Sequence, residues 1–117
     1  MVCVDKSIPG VSTWSMLADE RFENPAGIVQ GGFLTAFADS AMGAAAVTYA
    51  GDRKVFVANA ELKISFMAPV TTGAMVTCTA EVVSAGRRVA FVEATIRDGE
   101  ERLVARATST YLFRERG

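Results

Sequence analysis

The stretch Asn24 to Gly43 reads NPAGIVQGGFLTAFADSAMG, and past its paired glycines it is nearly all small or apolar except for Asp39. A carboxylate set in such a run needs a reason, because burying an unpaired charge is very costly. The chain contains no histidine. That removes Ser-His-Asp and Cys-His nucleophile systems and argues against a zinc site. Proton transfer, if it occurs here, falls to Asp, Glu, Lys, Tyr or Cys, and Asp39 is the first candidate.

Gly31 and Gly32 open the same run. The first N–H groups of a helix have no partner within it, and the helix dipole favours negative charge at that end. Without a side chain at Gly31, a ligand oxygen can come close to the backbone, which would make an oxyanion hole. The plainer reading is that the glycines only let a loop turn tightly into a crowded helix. Asp39 follows eight residues later, ~12 Å along a helix axis. One helix therefore cannot bring both groups to one carbonyl. Two copies packed antiparallel could, with Gly31 of one facing Asp39 of the other and two-fold symmetry repeating the site. The alternative is a structural Asp39 bonded to backbone or to Ser40 at an interface.

The elements that would position these groups are legible from periodicity. Val11 to Leu17 is β-branched and aromatic-rich and reads as a first strand. The polar stretch ADERFENPAG reads as a loop. Gly31 to Ala50 reads as a proline-free helix, apolar around nearly its whole circumference and so buried on most sides, and ended by Gly51-Asp52. Val55 to Met67 alternates, with Ala58, Ala60, Leu62, Ile64 and Phe66 on one face and Asn59, Glu61, Lys63 and Ser65 on the other. Ala74 to Ser84, Val89 to Arg97 and Leu103 to Phe113 complete the strands, the last two flanking a hairpin signal at Asp98-Gly99. The order predicts one α+β domain over residues 1–117, an antiparallel sheet wrapped around one long central helix.

The 117 residues suit a single domain, and half are apolar. With 12 basic and 13 acidic residues the net charge is -1, which argues against nucleic acid or an anionic membrane as partner. No apolar run approaches a membrane span, and MVCVDKSIPG lacks the apolar core of a signal peptide, so a cytoplasmic protein is expected. Cys3 and Cys78 are too few for a disulfide framework and read as free thiols.

Taken together, NPAGIVQGGFLTAFADSAMG and VANAELKISFMAPVTTG resemble the hotdog-fold acyl-CoA thioesterases of the PaaI-like, phenylacetate-degradation group. That pattern is an Asn, six residues on a His-Gly-Gly, an Asp on the central helix, and a strand ending in an aromatic–x–x–Pro turn. Asn24, Gly31, Gly32, Asp39 and the Phe66-to-Pro69 turn fall at its spacing, over roughly Val11 to Phe113. The resemblance implies that the Gly31 N–H holds the thioester oxygen and that Asp39 of the opposite subunit is general base or nucleophile. Asn24 would position the carbonyl or the water. Asn59 stands where relatives often carry Ser or Thr assisting the Asp. Gln30 replaces the family His; it can donate a hydrogen bond to the carbonyl but cannot shuttle a proton. A thiolate leaves without a strong acid, so one carboxylate and one oxyanion donor can suffice.

The acyl group would lie in an apolar slot beside Gly32, with Phe33, Phe37 and Met42 as walls and Trp14 or Met67 nearby, unless these are simply core. Coenzyme A phosphates would meet cations, of which Arg87 and Arg88 at the AGRR turn are the first choice, ahead of Lys63 and Arg53-Lys54. The expected assembly is a homodimer or a homotetramer, with no metal or redox cofactor and coenzyme A present only as part of the substrate. A non-catalytic acyl-CoA binding or sensing domain is the main alternative. A hotdog hydratase is disfavoured by the missing His, and a bare dimerisation module has no use for Asp39.

Overall fold

A computed structural model describes residues 1–19, 28–29 and 31–116. The strands are β1 (Val2–Asp5), β2 (Val11–Leu17), β3 (Val55–Phe66), β4 (Met75–Ala85), β5 (Val89–Arg97) and β6 (Leu103–Glu115), with one helix, α1 (Gly31–Ala50), between β2 and β3. They form a single antiparallel sheet in the order β1-β2-β4-β5-β6-β3. The helix packs across one face, against β2, β3, β4, β5 and β6. This is the expected hotdog architecture with one strand more than the sequence reading gave. Val2–Asp5 had no alternation to mark it, and it pairs as a short edge strand beside β2.

Period-two alternation builds the core. Met16, Val76, Cys78, Ala80, Val92, Ile96 and Ala107 turn inward from successive strands onto Leu34, Phe37, Ala38, Ala41, Met42 and Ala45 of α1. Phe37 and Met42 are fully buried, each contributing about 1.5–3 kcal/mol by its burial. The small residues of α1 let the sheet approach closely. The helix is also tied to β2 by polar bonds: the Ser12 hydroxyl donates to the Ala41 carbonyl and the Gly10 N–H donates to Thr48 Oγ1. Gly51 ends it at φ 60°, a left-handed position at the helix C-terminus suited to glycine.

The helix is buried on most sides, as expected, and Gly32, Ala36, Asp39 and Val47 remain exposed along one strip. One expectation changes, since in β3 the simple alternation fails at a bulge. Asn59 pairs with Tyr111 and Glu61 with Thr110, leaving Ala60 as an extra residue. Asn59 therefore shares the inner face with Leu62 and Ile64 instead of opposing them, while Ala58 turns outward and Ala60 takes neither regular position.

The β5–β6 hairpin also differs in detail from a two-residue Asp-Gly turn. It spans Asp98 to Arg102, closed by Asp98 N–H to Arg102 C=O at 3.0 Å, and its left-handed residue is Glu101 at φ 63°.

Candidate active site

The inner face of β6 carries two polar residues, Ser109 and Tyr111, among Ala105, Ala107 and Phe113. They meet Asn59, which the β3 bulge has turned inward, and Asp39 on the exposed strip of α1. The Tyr111 hydroxyl donates to Asp39 Oδ1 at 2.6 Å and lies 3.1 Å from the Asp39 main-chain oxygen. Asn59 Nδ2 donates to the same Oδ1 at 3.1 Å and to Ser109 Oγ at 2.9 Å. Ser109 in turn donates to the Glu61 carbonyl at 2.7 Å. With its own proton committed there, Ser109 Oγ can only accept from Asn59, so the amide nitrogen is the atom aimed at the carboxylate.

Asp39 is thus neither buried nor unpaired. It is exposed on the single chain and held from two strands through one oxygen. Burial, followed by the hydrogen bond and charge of Asp39, pushes the Tyr111 phenol well above its ordinary value. Tyr111 therefore remains a donor at any physiological pH.

A second cluster surrounds the N-terminus of α1, of which Gly31 is the first residue. A β-carbon built on Gly31 would stand 2.8 Å from the tip of the Phe66 ring, closer than side chains pack. Next to Gly32 there is open space. Gly31, Leu34, Val29, Phe66 and Met67 help line a largely apolar cavity of about 460 Å³, a volume suited to a small-molecule ligand. The helix N-terminus gives it backbone N–H donors without any acidic residue in the first turn.

The structure brings Asp39 and Asn59 together, and separately Gly31, Phe66 and Met67. About two helical turns keep the two clusters apart within one chain. Phe33 is half-buried against the core, whereas Phe37 and Met42 lie wholly inside it and face no open slot. As substrate walls those two are corrected to core residues, because the helix turns them onto the sheet. Arg87 sits at the far end of α1, where it is 3.1 Å from Glu115 and accepts from Arg53 through its carbonyl. Arg88 belongs to the same exposed turn, so neither reaches Gly31 of its own chain. Asn24 and Gln30 lie outside the described residues.

Tyr111 and Ser109 are the residues that the sequence reading passed over. Their signal was available: polar side chains at two successive inward positions of an otherwise apolar strand face. Among the described residues no group of three or more His, Cys, Asp or Glu side chains is placed to hold a metal. No described helix is long and apolar enough to cross a membrane.

A family profile of the thioesterase superfamily matches residues 26–105. The chain belongs to the thioesterase superfamily. Solved structures share the fold. Conserved protein PA5202 from Pseudomonas aeruginosa is 31% identical with a TM-score of 0.88, over 96% of this chain and 86% of that one. The Escherichia coli PaaI protein of the phenylacetic acid degradation operon is 21% identical with a TM-score of 0.83, over 93% and 75%. The Streptococcus mutans protein smu.793, solved bound to acetyl-CoA, is 17% identical with a TM-score of 0.89, over 98% and 90%. The last two likenesses concern the fold. No curated protein matches this superfamily member.

Proposed function

We propose that the chain is an acyl-CoA thioesterase, hydrolysing a thioester to a carboxylic acid and coenzyme A. The observation that carries this reading is the Asp39 carboxylate, exposed at mid-helix with Tyr111 and Asn59 both donating to Oδ1. A carboxylate held so firmly and left open to solvent suits a base that must meet a substrate from outside its own chain. The Gly31 N-terminus and its apolar cavity supply the complementary half.

In this reading two chains pack their exposed helix strips antiparallel. The Gly31 N–H of one subunit receives the thioester oxygen, and the partner's Asp39 takes a proton from water. The water oxygen bonds to the carbonyl carbon, and the negative charge that grows on the carbonyl oxygen is met by the amide. As the carbonyl reforms the C–S bond breaks, and the proton held by Asp39 goes to the leaving thiolate. Gln30 and Asn24 fit the roles of orienting the carbonyl and the water. In such a pair the partner's Arg87–Arg88 turn comes to the same end of the assembly as this chain's Gly31, the side from which coenzyme A phosphates would approach. Binding of acetyl-CoA by the Streptococcus mutans neighbour agrees with this substrate class. A homodimer is the minimum assembly, and a homotetramer pairs two such dimers.

Thiol release from a panel of short, medium and aryl acyl-CoA esters tests the reading. Turnover is expected for the wild type and a loss of at least about 100-fold for Asp39→Asn with binding retained. Mixing Asp39→Asn with Gly31→Ala subunits should restore about a quarter of wild-type turnover, since half the dimers are mixed and each of those has one intact site. Full activity in Asp39→Asn, or no recovery on mixing when mixed dimers form, refutes the reading. Binding without hydrolysis across the panel would instead favour an acyl-CoA sensor.

A further inference from the structure

The two oxygens of Asp39 are not equivalent. Oδ1 takes both available donors, Tyr111 Oη at 2.6 Å and Asn59 Nδ2 at 3.1 Å. Among the described residues nothing donates to Oδ2. The torsion that swaps the two oxygens of a carboxylate is soft, so an unanchored Asp39 would sample both. Here the donors come from different strands, β6 and β3, and the Tyr111 hydroxyl also lies 3.1 Å from the Asp39 carbonyl oxygen. One phenol thus touches both ends of the same residue, which fixes the side chain relative to the helix.

We propose that Tyr111 is a positioning residue that reserves Oδ1 of Asp39 as an anchor and leaves Oδ2 as the oxygen that takes the proton from water. The inference rests on the reading of Asp39 as a general base. Tyr111 itself moves no proton in this scheme: its phenol is buried beside a carboxylate, so the phenolate that proton donation would leave is strongly disfavoured. Water gives one proton to Oδ2, its oxygen bonds to the thioester carbon, and Oδ2 later returns that proton to the thiolate. Asn59 acts on the same anchor oxygen, with Ser109 setting the direction of its amide.

The test is Tyr111→Phe, which keeps the buried ring and removes only the hydroxyl. Expected are a fall in kcat of about 10- to 100-fold, the worth of one hydrogen bond to a charged group, and a KM within about twofold of wild type. Wild-type kcat overturns the inference. So does a KM that rises in step with the fall in kcat, which would mean a merely structural loss of the site. Should Tyr111→Phe fail to fold, Asn59→Ala removes the other donor from an exposed position and must lower kcat at a KM within about twofold of wild type; wild-type kcat there also overturns it. Asp39→Asn run alongside separates the two claims. If it keeps full turnover the general-base reading falls, whereas if it is inactive and Tyr111→Phe matches wild type, only the anchoring role falls.

Discussion

Gly31 and Phe66 meet at the mouth of the apolar cavity so closely that a β-carbon on the first would stand 2.8 Å from the ring tip of the second. The helix N-terminus and the end of β3 are thereby brought into register, and the amide of residue 31 is kept at the cavity wall. Phe66 is half exposed, so its ring can swing aside. Gly31→Ala should therefore fold, with a melting temperature within a few degrees of wild type, yet lose about 100-fold or more in thioester turnover. Combining it with Phe66→Ala should return part of the activity if the displaced ring is the cause. A Gly31→Ala protein with wild-type turnover would remove Gly31 from the chemistry.

Glu101 holds φ 63° in the β5–β6 turn, a conformation that costs a residue with a β-carbon roughly 1–2 kcal/mol. Glycine adopts it freely but loses more entropy on folding. Glu101→Gly is expected to stabilise the protein by about 0.5–1 kcal/mol, read as a rise in the denaturation midpoint with an unchanged slope. A lower midpoint would show that the Glu101 side chain contributes something the turn geometry does not reveal.

Asp98 in the same turn should make stability fall at acid pH. Its carboxyl is held below its ordinary 3.8, foremost by the Arg102 backbone N–H; desolvation opposes this, and the Glu100 N–H and the Arg102 side chain add to the lowering. The charged form is thus favoured by folding. Its contribution is present above pH 3.8 and lost as pH falls through the lowered folded value. Asp98→Asn should melt lower than wild type at neutral pH, and the gap should close as the pH drops below about 3.8. A gap that stays constant with pH would contradict this.

Cys78 should be chemically silent. Burial alone pushes its thiol up to about 12, and the thiolate is the reactive form. Cys3 on the edge strand is only half-buried. An aromatic disulfide reagent is expected to titrate one thiol per native chain and the second only in denaturant. Two fast thiols in the native protein would mean that β4 opens readily.

Much of this was readable in the residues themselves. Alternating Val76, Cys78 and Ala80 fixed the inner face of β4, and the Ala-rich run of α1 fixed a close-packed central helix. Asp39 and Gly31 stood out because their types clash with, or interrupt, an apolar pattern. Asn59 was identified as a site residue, yet strict alternation put it on the face opposite Leu62. A bulge is a property of pairing between two strands, and nothing within β3 marks Ala60 as the unpaired residue. Tyr111 escaped for a related reason, since its importance lies in reaching Asp39 from 72 positions away. Phe37 shows the opposite case: an aromatic on α1 suits either a substrate wall or the core, and helical phase turns it into the core.

The sheet order has a consequence for how the molecule comes into being. Within the sheet β3 pairs only with β6, and its first residue, Val55, pairs with Glu115 at the other end of the remaining chain. Contacts so remote in sequence close late and raise the barrier to folding. Asn59 rides on that outermost strand and Tyr111 on its sole neighbour, so a nascent or truncated chain lacking β6 has no means of orienting the acid on its helix. Maturation of the polar cluster and completion of the domain are one event.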